Sequence, residues 1–256
     1  MPAWMSELTC DGFLGGRLQV TQPKAGFRSG ADAVMLAAAC PAVSGQAVLE
    51  LGCGAGVASL CLGWRVPGLR LAGLESQPDY ADLARRNAAA NGIAMQVLTG
   101  DVVRPPAELR AMAFDHVIAN PPYFLGGTPA PDGGRAIARR EETPLIAWID
   151  TGLRRLQPGG VMTLIQRADR LDAILAGLAG RAGAIAIMPL AARMGREAGR
   201  VIVQARKGAR GPLRLLAPFV MHSEPAHADD RQDLTDAASD VLRNASPLVP
   251  FFAKVS

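Results

Sequence analysis

Cysteine and histidine are scarce in this chain, with four of the first and three of the second among 256 residues. Cys10, Cys40, Cys53 and Cys61 form no paired CxxC step, and no histidines cluster beside them. Neither a zinc site nor a disulfide framework is indicated, and buried, reduced thiols are the expectation, with no metal. The opening MPAWMSELTCDG holds no basic leader and no apolar h-region, and no uncharged apolar run approaches the roughly 20 residues of a membrane span. The expectation is a cytoplasmic protein with no membrane partner. Lysine is almost missing as well, with 3 against 24 arginines.

What is present is one ample core and an uneven basic charge. At 49% hydrophobic, the chain can bury a single α/β domain of ordinary size. The net charge is +4, yet residues 132–214 hold 15 Arg or Lys against 7 Asp or Glu, an excess of 8, whereas residues 1–128 hold 9 against 10. The second half is therefore the side expected to face a polyanion.

Apolar, β-prone runs alternate with helical patterns, which predicts a parallel sheet with crossover helices. AVLELGC from Ala47, LRLAGLE from Leu69, AMQVLTGD from Ala94 and FDHVIAN from Phe114 are the expected strands. GVASLCLGW and PDYADLARRNAAANG are helices between them, the second opening at Pro78 and closing at Asn91-Gly92. TPLIAWIDTGLRRLQPGG is a helix stopped by Pro-Gly-Gly, VMTLIQ a strand, and RLDAILAGLAGRAG a helix. AIAIMPL and GRVIVQARKG follow as two late strands on a short link, an antiparallel pair. Ahead of this frame stand a Gly-rich hairpin, LTCDGFLGGRLQVTQP, and a helix from Asp32; behind it lies an acidic tail, helical from Leu234 to Arg243. Residues 1–45 form the expected cap and residues 46–256 the main domain.

Three alternate glycines, Gly52, Gly54 and Gly56, stand where the first strand passes into its helix, just after Glu50. Such glycines let the backbone approach a ligand, and the helix behind them offers free N–H groups to an anion. The pattern is shared by dinucleotide binders and S-adenosylmethionine binders, and it sometimes marks tight packing alone. Glu75 ends the second strand, where a carboxylate can accept from both hydroxyls of a ribose. Asp101 ends the third strand, after Gly100, within reach of an adenine's amine. These residues resemble the Rossmann-like S-adenosylmethionine-dependent methyltransferases, over roughly Val48 to Gln166.

The fourth strand stops at Asn120-Pro121-Pro122-Tyr123. Residues preceding proline are pushed into extended geometry, so this backbone is nearly fixed before any substrate arrives. The Asn120 side-chain oxygen and the Pro121 carbonyl can accept the two hydrogens of a planar amine, restoring lone-pair density to its nitrogen. Tyr123 offers a flat face for a base or a planar amide. The same clamp serves adenine, cytosine and guanine amines and the glutamine amide.

Flanking motifs narrow the likeness to the bacterial tRNA(Val) adenine-37 N6-methyltransferase family. They are Gln22-Pro23 after the hairpin, Phe27-Arg28-Ser29-Gly30-Ala31-Asp32, Ala138-Arg139-Arg140-Glu141, and Lys207-Gly208-Ala209-Arg210. Two positions depart from the family pattern: Arg140 where a His is usual, and Leu234 where an aromatic precedes the Thr. The resemblance implies a seven-stranded, mostly parallel sheet with one antiparallel strand, helices on both faces and a short N-terminal hairpin. It implies S-adenosylmethionine as cofactor, with Arg28, Gly30 and Asp32 closing over it and Glu50, Gly52, Gly54, Gly56, Glu75, Asp101 and Asn120 lining its site. It also implies tRNA as partner, met by Arg139, Arg140, Lys207 and Arg210, and a monomer or weak dimer. A protein-glutamine N5-methyltransferase acting on release factors shares NPPY, though roughly 45 residues ahead of the glycine loop are few for its N-terminal domain; a ribosomal RNA methyltransferase is the other alternative.

Overall fold

The computed structural model describes residues 7–122, 143–223 and 233–253. An antiparallel hairpin comes first, β1 (Leu8–Phe13) with β2 (Leu18–Pro23), Leu8 opposite Pro23 and Phe13 opposite Leu18. Helix α1 (Ala31–Ala39) leads into the alternation β3 (Ala47–Leu51), α2 (Val57–Arg65), β4 (Arg70–Glu75), α3 (Pro78–Ala90) and β5 (Met95–Thr99). A short α4 (Ala107–Ala111) precedes β6 (Phe114–Ala119). Beyond the elbow come α5 (Leu145–Arg155), β7 (Leu156–Arg167), a 3-10 turn at Ala168–Arg170 and α6 (Leu171–Leu178). The chain continues through β8 (Ala182–Arg193), β9 (Ala198–Lys207), and two short strands, β10 (Arg214–Leu215) and β11 (Phe219–His222). Helices α7 (Asp236–Asn244) and α8 (Val249–Phe252) complete the described chain.

The main sheet runs β10-β8-β9-β7-β6-β3-β4-β5, with β11 also on β8. Its seven long strands include a single antiparallel one, β9, which opposes both β7 and β8. The two short strands add to the β8 edge and had no counterpart in the sequence reading. All five residues of β3 are buried, as a central parallel strand covered on both faces requires. One apolar layer joins the hairpin (Leu18, Val20), α1, α2 and the tail (Val241, Leu248). The other seats α5 and α6 through Trp148, Ile149, Leu153 and Ile174. The N-terminal cap thus shares its core with the sheet.

One local outcome differs from the sequence pattern. Helix α5 stops at Arg155, before Pro-Gly-Gly, because Leu156 turns extended (φ −70°, ψ 141°) to pair with Phe114 and bury itself in the core. Arg28 and Asp32, one turn apart, do not pair. Arg28 grips Asp11 through two bonds of 2.8 and 2.7 Å and also donates to Thr9 and Pro23. Asp32 instead meets Arg200 on β9 at 3.2 Å.

Candidate active site at the carboxyl edge of the sheet

The strand ends are level. Leu51 is paired with both Leu74 and Ala119, and Leu74 in turn with Leu98. The next residues along β3, β4, β5 and β6 therefore leave the sheet side by side, at strand spacings of about 4.8 Å. Those residues are Gly52, Glu75, Thr99 and Asn120, and Gly100-Asp101 follow directly on Thr99, the partner of Glu75. The strand order reverses between β3 and β6, the place where open α/β sheets leave a crevice for a ligand.

Glycine is needed in the first of these ends. Gly52, Gly54 and Gly56 have φ of +66°, +54° and +92°, in the region L side chains avoid. A Cβ on Gly52 would stand 2.6 Å from the Trp148 ring, so the loop lies flat against α5. Phe27 lies over Gly54 on the other side, with its carbonyl accepting from the Tyr80 hydroxyl at 2.8 Å.

The two acidic residues of this edge have distinct duties. Glu75 is buried, and its carboxylate accepts from the Gly54 N–H and the Gln77 N–H, each at 2.9 Å. It is thereby held across the glycine loop. Glu50 lies deeper; one of its oxygens accepts both the Ser59 N–H (2.9 Å) and the Ser59 hydroxyl (2.6 Å). It caps the start of α2 from below. Burial pushes the Glu50 carboxyl up to about 7, against the two Ser59 bonds and with a smaller push from Glu75. Asp101 is exposed, with Oδ1 accepting from the Val103 N–H at 2.6 Å.

At the elbow Asn120 is half-buried, Pro121 buried and Pro122 half-buried. The Pro121 carbonyl accepts from Gln166 Nε2 at 3.2 Å. Gln166 and Trp148 were not singled out from the sequence, and Phe27 entered only as the aromatic of its motif; Gln166 ends an apolar run with an amide, the same signal that marks Asn120. Gly30 stands at the start of α1 with open space around it, and Arg28 and Asp32 brace the loop carrying Phe27. Tyr123, Arg139 and Arg140 lie outside the described residues.

Lys207 and Arg210 are not brought to this edge. β9 runs downward from Arg200, opposite Arg167, to Arg206, opposite Val161. Lys207 therefore sits at the amino end of β7, donating to the Leu156 carbonyl at 2.7 Å, about 20 Å from Asn120 by strand rise. The register thus sets Lys207 apart from the clamp. Among the described residues, no group of three His, Cys, Asp or Glu is placed to hold a metal ion, and no helix is long and apolar enough to cross a membrane.

The model of the methyltransferase small domain matches residues 29–180, more than half of the chain. The chain belongs to that family. Among the relatives of this methyltransferase domain is the tRNA1(Val) (adenine(37)-N6)-methyltransferase of Porphyromonas gingivalis, 37% identical over 164 residues. That alignment covers 60% of this chain and 64% of the relative, just under two thirds of its length. A protein of the same name from Aeromonas hydrophila is 30% identical over 226 residues, 86% of this chain and 93% of its own. Among solved structures, one described as a predicted O-methyltransferase from Agrobacterium tumefaciens superposes with a TM-score of 0.68 at 28% identity, over 84% of this chain and 97% of that one. A 16S rRNA N2 guanine methyltransferase of T. thermophilus shares the fold at TM-score 0.54 and 23% identity, over 78% of this chain and 50% of that one.

The residues present fit S-adenosylmethionine. The positive-φ loop glycines would leave room for the methionine end, the buried carboxylate of Glu75 would accept from a ribose, and the exposed one of Asp101 would meet the base.

Proposed function

We propose that this chain transfers a methyl group from S-adenosylmethionine to the N6 amine of an adenine in RNA, with adenine-37 in the anticodon loop of tRNA(Val) as the first candidate. The observation that carries the reading is the level row of strand ends, glycine loop, Glu75, Asp101 and Asn120-Pro121, in which a nucleoside site and an amine clamp are neighbours. The names of the two tRNA-modifying relatives support the substrate.

S-adenosylmethionine supplies an electrophilic methyl on a sulfonium. The chain's own part is to present the amine. The Asn120 oxygen and the Pro121 carbonyl accept its two hydrogens and hold them out of the ring plane, which returns lone-pair density to the nitrogen as it becomes tetrahedral. No strong base is required at this step. Tyr123 stacks on the extruded base, and Arg139 and Arg140, which follow the clamp in sequence, meet phosphates. A loop base is already partly unstacked, so extrusion costs less than from a duplex.

The test is methyl transfer from labelled S-adenosylmethionine to total tRNA, ribosomal RNA and release factor, followed by nucleoside mass spectrometry. N6-methyladenosine gained in a valine tRNA is the expected result. Label on a release-factor glutamine, or on ribosomal RNA alone, would overturn the substrate.

A further inference from the structure

Both residues after Asn120 are prolines, so Pro121 and Pro122 bring no N–H with which a neighbouring strand could hold the chain. The two prolines have only their carbonyl acceptors to be anchored by. Gln166 stands beside it on β7, two residues past the pair Ala119–Leu164, with its side chain buried at 2% exposure. Its Oε1 accepts the Arg167 N–H at 2.8 Å, and its Nε2 donates to the Pro121 carbonyl at 3.2 Å. A backbone N–H can only donate, so Arg167 fixes which end of the amide is oxygen and commits the NH2 end to Pro121. The side chain is a spacer of set polarity between one strand and the elbow of the next.

We propose that Gln166 is a positioning residue for methyl transfer, donating to one lone pair of the Pro121 carbonyl and so aiming the other at the substrate amine. The inference rests on the reading of Asn120 and Pro121 as the pair of acceptors. A carbonyl has two lone pairs, and one taken by Gln166 leaves one, in a fixed direction, for the amine. Without the donor, the tertiary amide between the prolines can tilt. A misplacement of about 1 Å at a reacting group costs up to roughly 100-fold in rate. The side-chain bonds of Gln166 run to Pro121 and Arg167 and not to the glycine loop or Glu75, so its loss is expected to leave cofactor affinity nearly unchanged.

The experiment compares Gln166→Leu, Gln166→Glu and Asn120→Ala in the full chain. The acceptor is total tRNA, or release factor if that is what takes the label. Gln166→Leu is expected to lower kcat roughly 10- to 100-fold while KM and the calorimetric Kd for S-adenosylmethionine stay within about twofold. Gln166→Glu still accepts from Arg167 but turns an oxygen toward Pro121, and it donates only when protonated. Its kcat relative to the unaltered protein should therefore climb as pH falls from 8 to 5, whereas the Gln166→Leu ratio stays flat. Unaltered kcat in Gln166→Leu, or a flat ratio for Gln166→Glu, overturns the inference. Full turnover by Asn120→Ala would sink the acceptor-pair reading itself; an inactive Asn120→Ala beside a fully active Gln166→Leu would sink this inference alone. Should Gln166→Leu fail to fold, the pH ratio of Gln166→Glu decides.

Discussion

Glu50 and His116 show what burial does to single titratable groups in this sheet, and they act in opposite directions. The Glu50 carboxyl, raised to about 7 by burial, favours the fold most below the ordinary carboxylate range, and that contribution is lost as pH rises through 7. The His116 ring, lowered to about 4 mainly by burial, is neutral inside, its Nε2 2.8 Å from Gln46 Oε1. Its contribution is present above the ordinary histidine range and is lost as pH falls toward 4. Glu50→Gln keeps an oxygen for Ser59 and removes the buried charge. It should raise the Tm of the protein at pH 8, by an amount equivalent to about 2–3 kcal/mol, and do little at pH 5. Thermal denaturation at the two pH values checks this, and an equal shift at both would show that charge is not the cause.

Among the elements, the hairpin is attached in an unusual way. Strand β2 does not join the main sheet; Asn87 of α3 and Asn91, which caps its end, bond to its free edge instead. Asn87 accepts from the Thr21 N–H and donates to the Thr21 carbonyl, both at 2.9 Å, while Asn91 does the same to Gln19. Asn87 also donates to the Ala55 carbonyl in the glycine loop at 2.9 Å, so one amide ties the hairpin, α3 and that loop together. Asn87→Ala should cost about 3 kcal/mol in urea unfolding, since it strands buried polar groups, and should also weaken S-adenosylmethionine binding in calorimetry. Loss of stability with unchanged affinity would separate the hairpin from the site. Of this arrangement the sequence disclosed the hairpin but not its anchor, because Asn87 in an alanine-rich helix carries no periodic signal. The strands were legible because each is an apolar run closed by a polar or glycine residue. Strands β10 and β11 were not, since two to four residues show no alternation and owe their pairing to the β8 edge. The site's row of strand ends was readable residue by residue, whereas the partners of Arg28, Asp32 and Gln166 are set by contacts distant in sequence.

Over the whole molecule, the basic excess of the second half divides between the two ends of the sheet. At the carboxyl edge several arginines have acidic partners, Arg167 with Asp169, Arg193 with Asp233 and Arg200 with Asp32. Asp233 is held below the usual carboxylate range by its bond from Arg193, against burial, with His222 adding to the effect. At the amino edge Arg155, Arg206 and Lys207 donate to backbone carbonyls. A base held at Asn120 and a phosphate at Lys207 are a sheet height apart, so Lys207→Glu with Arg210→Glu should leave kcat at saturating RNA within about twofold. A larger fall would mean that the RNA spans the sheet. The thiols grade the fold in another way. Cys10 is exposed on the hairpin; Cys40, Cys53 and Cys61 are buried, and burial pushes all three thiols up, Cys40 to about 11. Since the thiolate is the nucleophile, an alkylating reagent at pH 8 should modify one equivalent quickly and the other three only at the rate at which the core opens. Cys53 lies within the glycine loop, so its alkylation kinetics, followed by peptide mass spectrometry, become a clock for cofactor occupancy that needs no substrate at all.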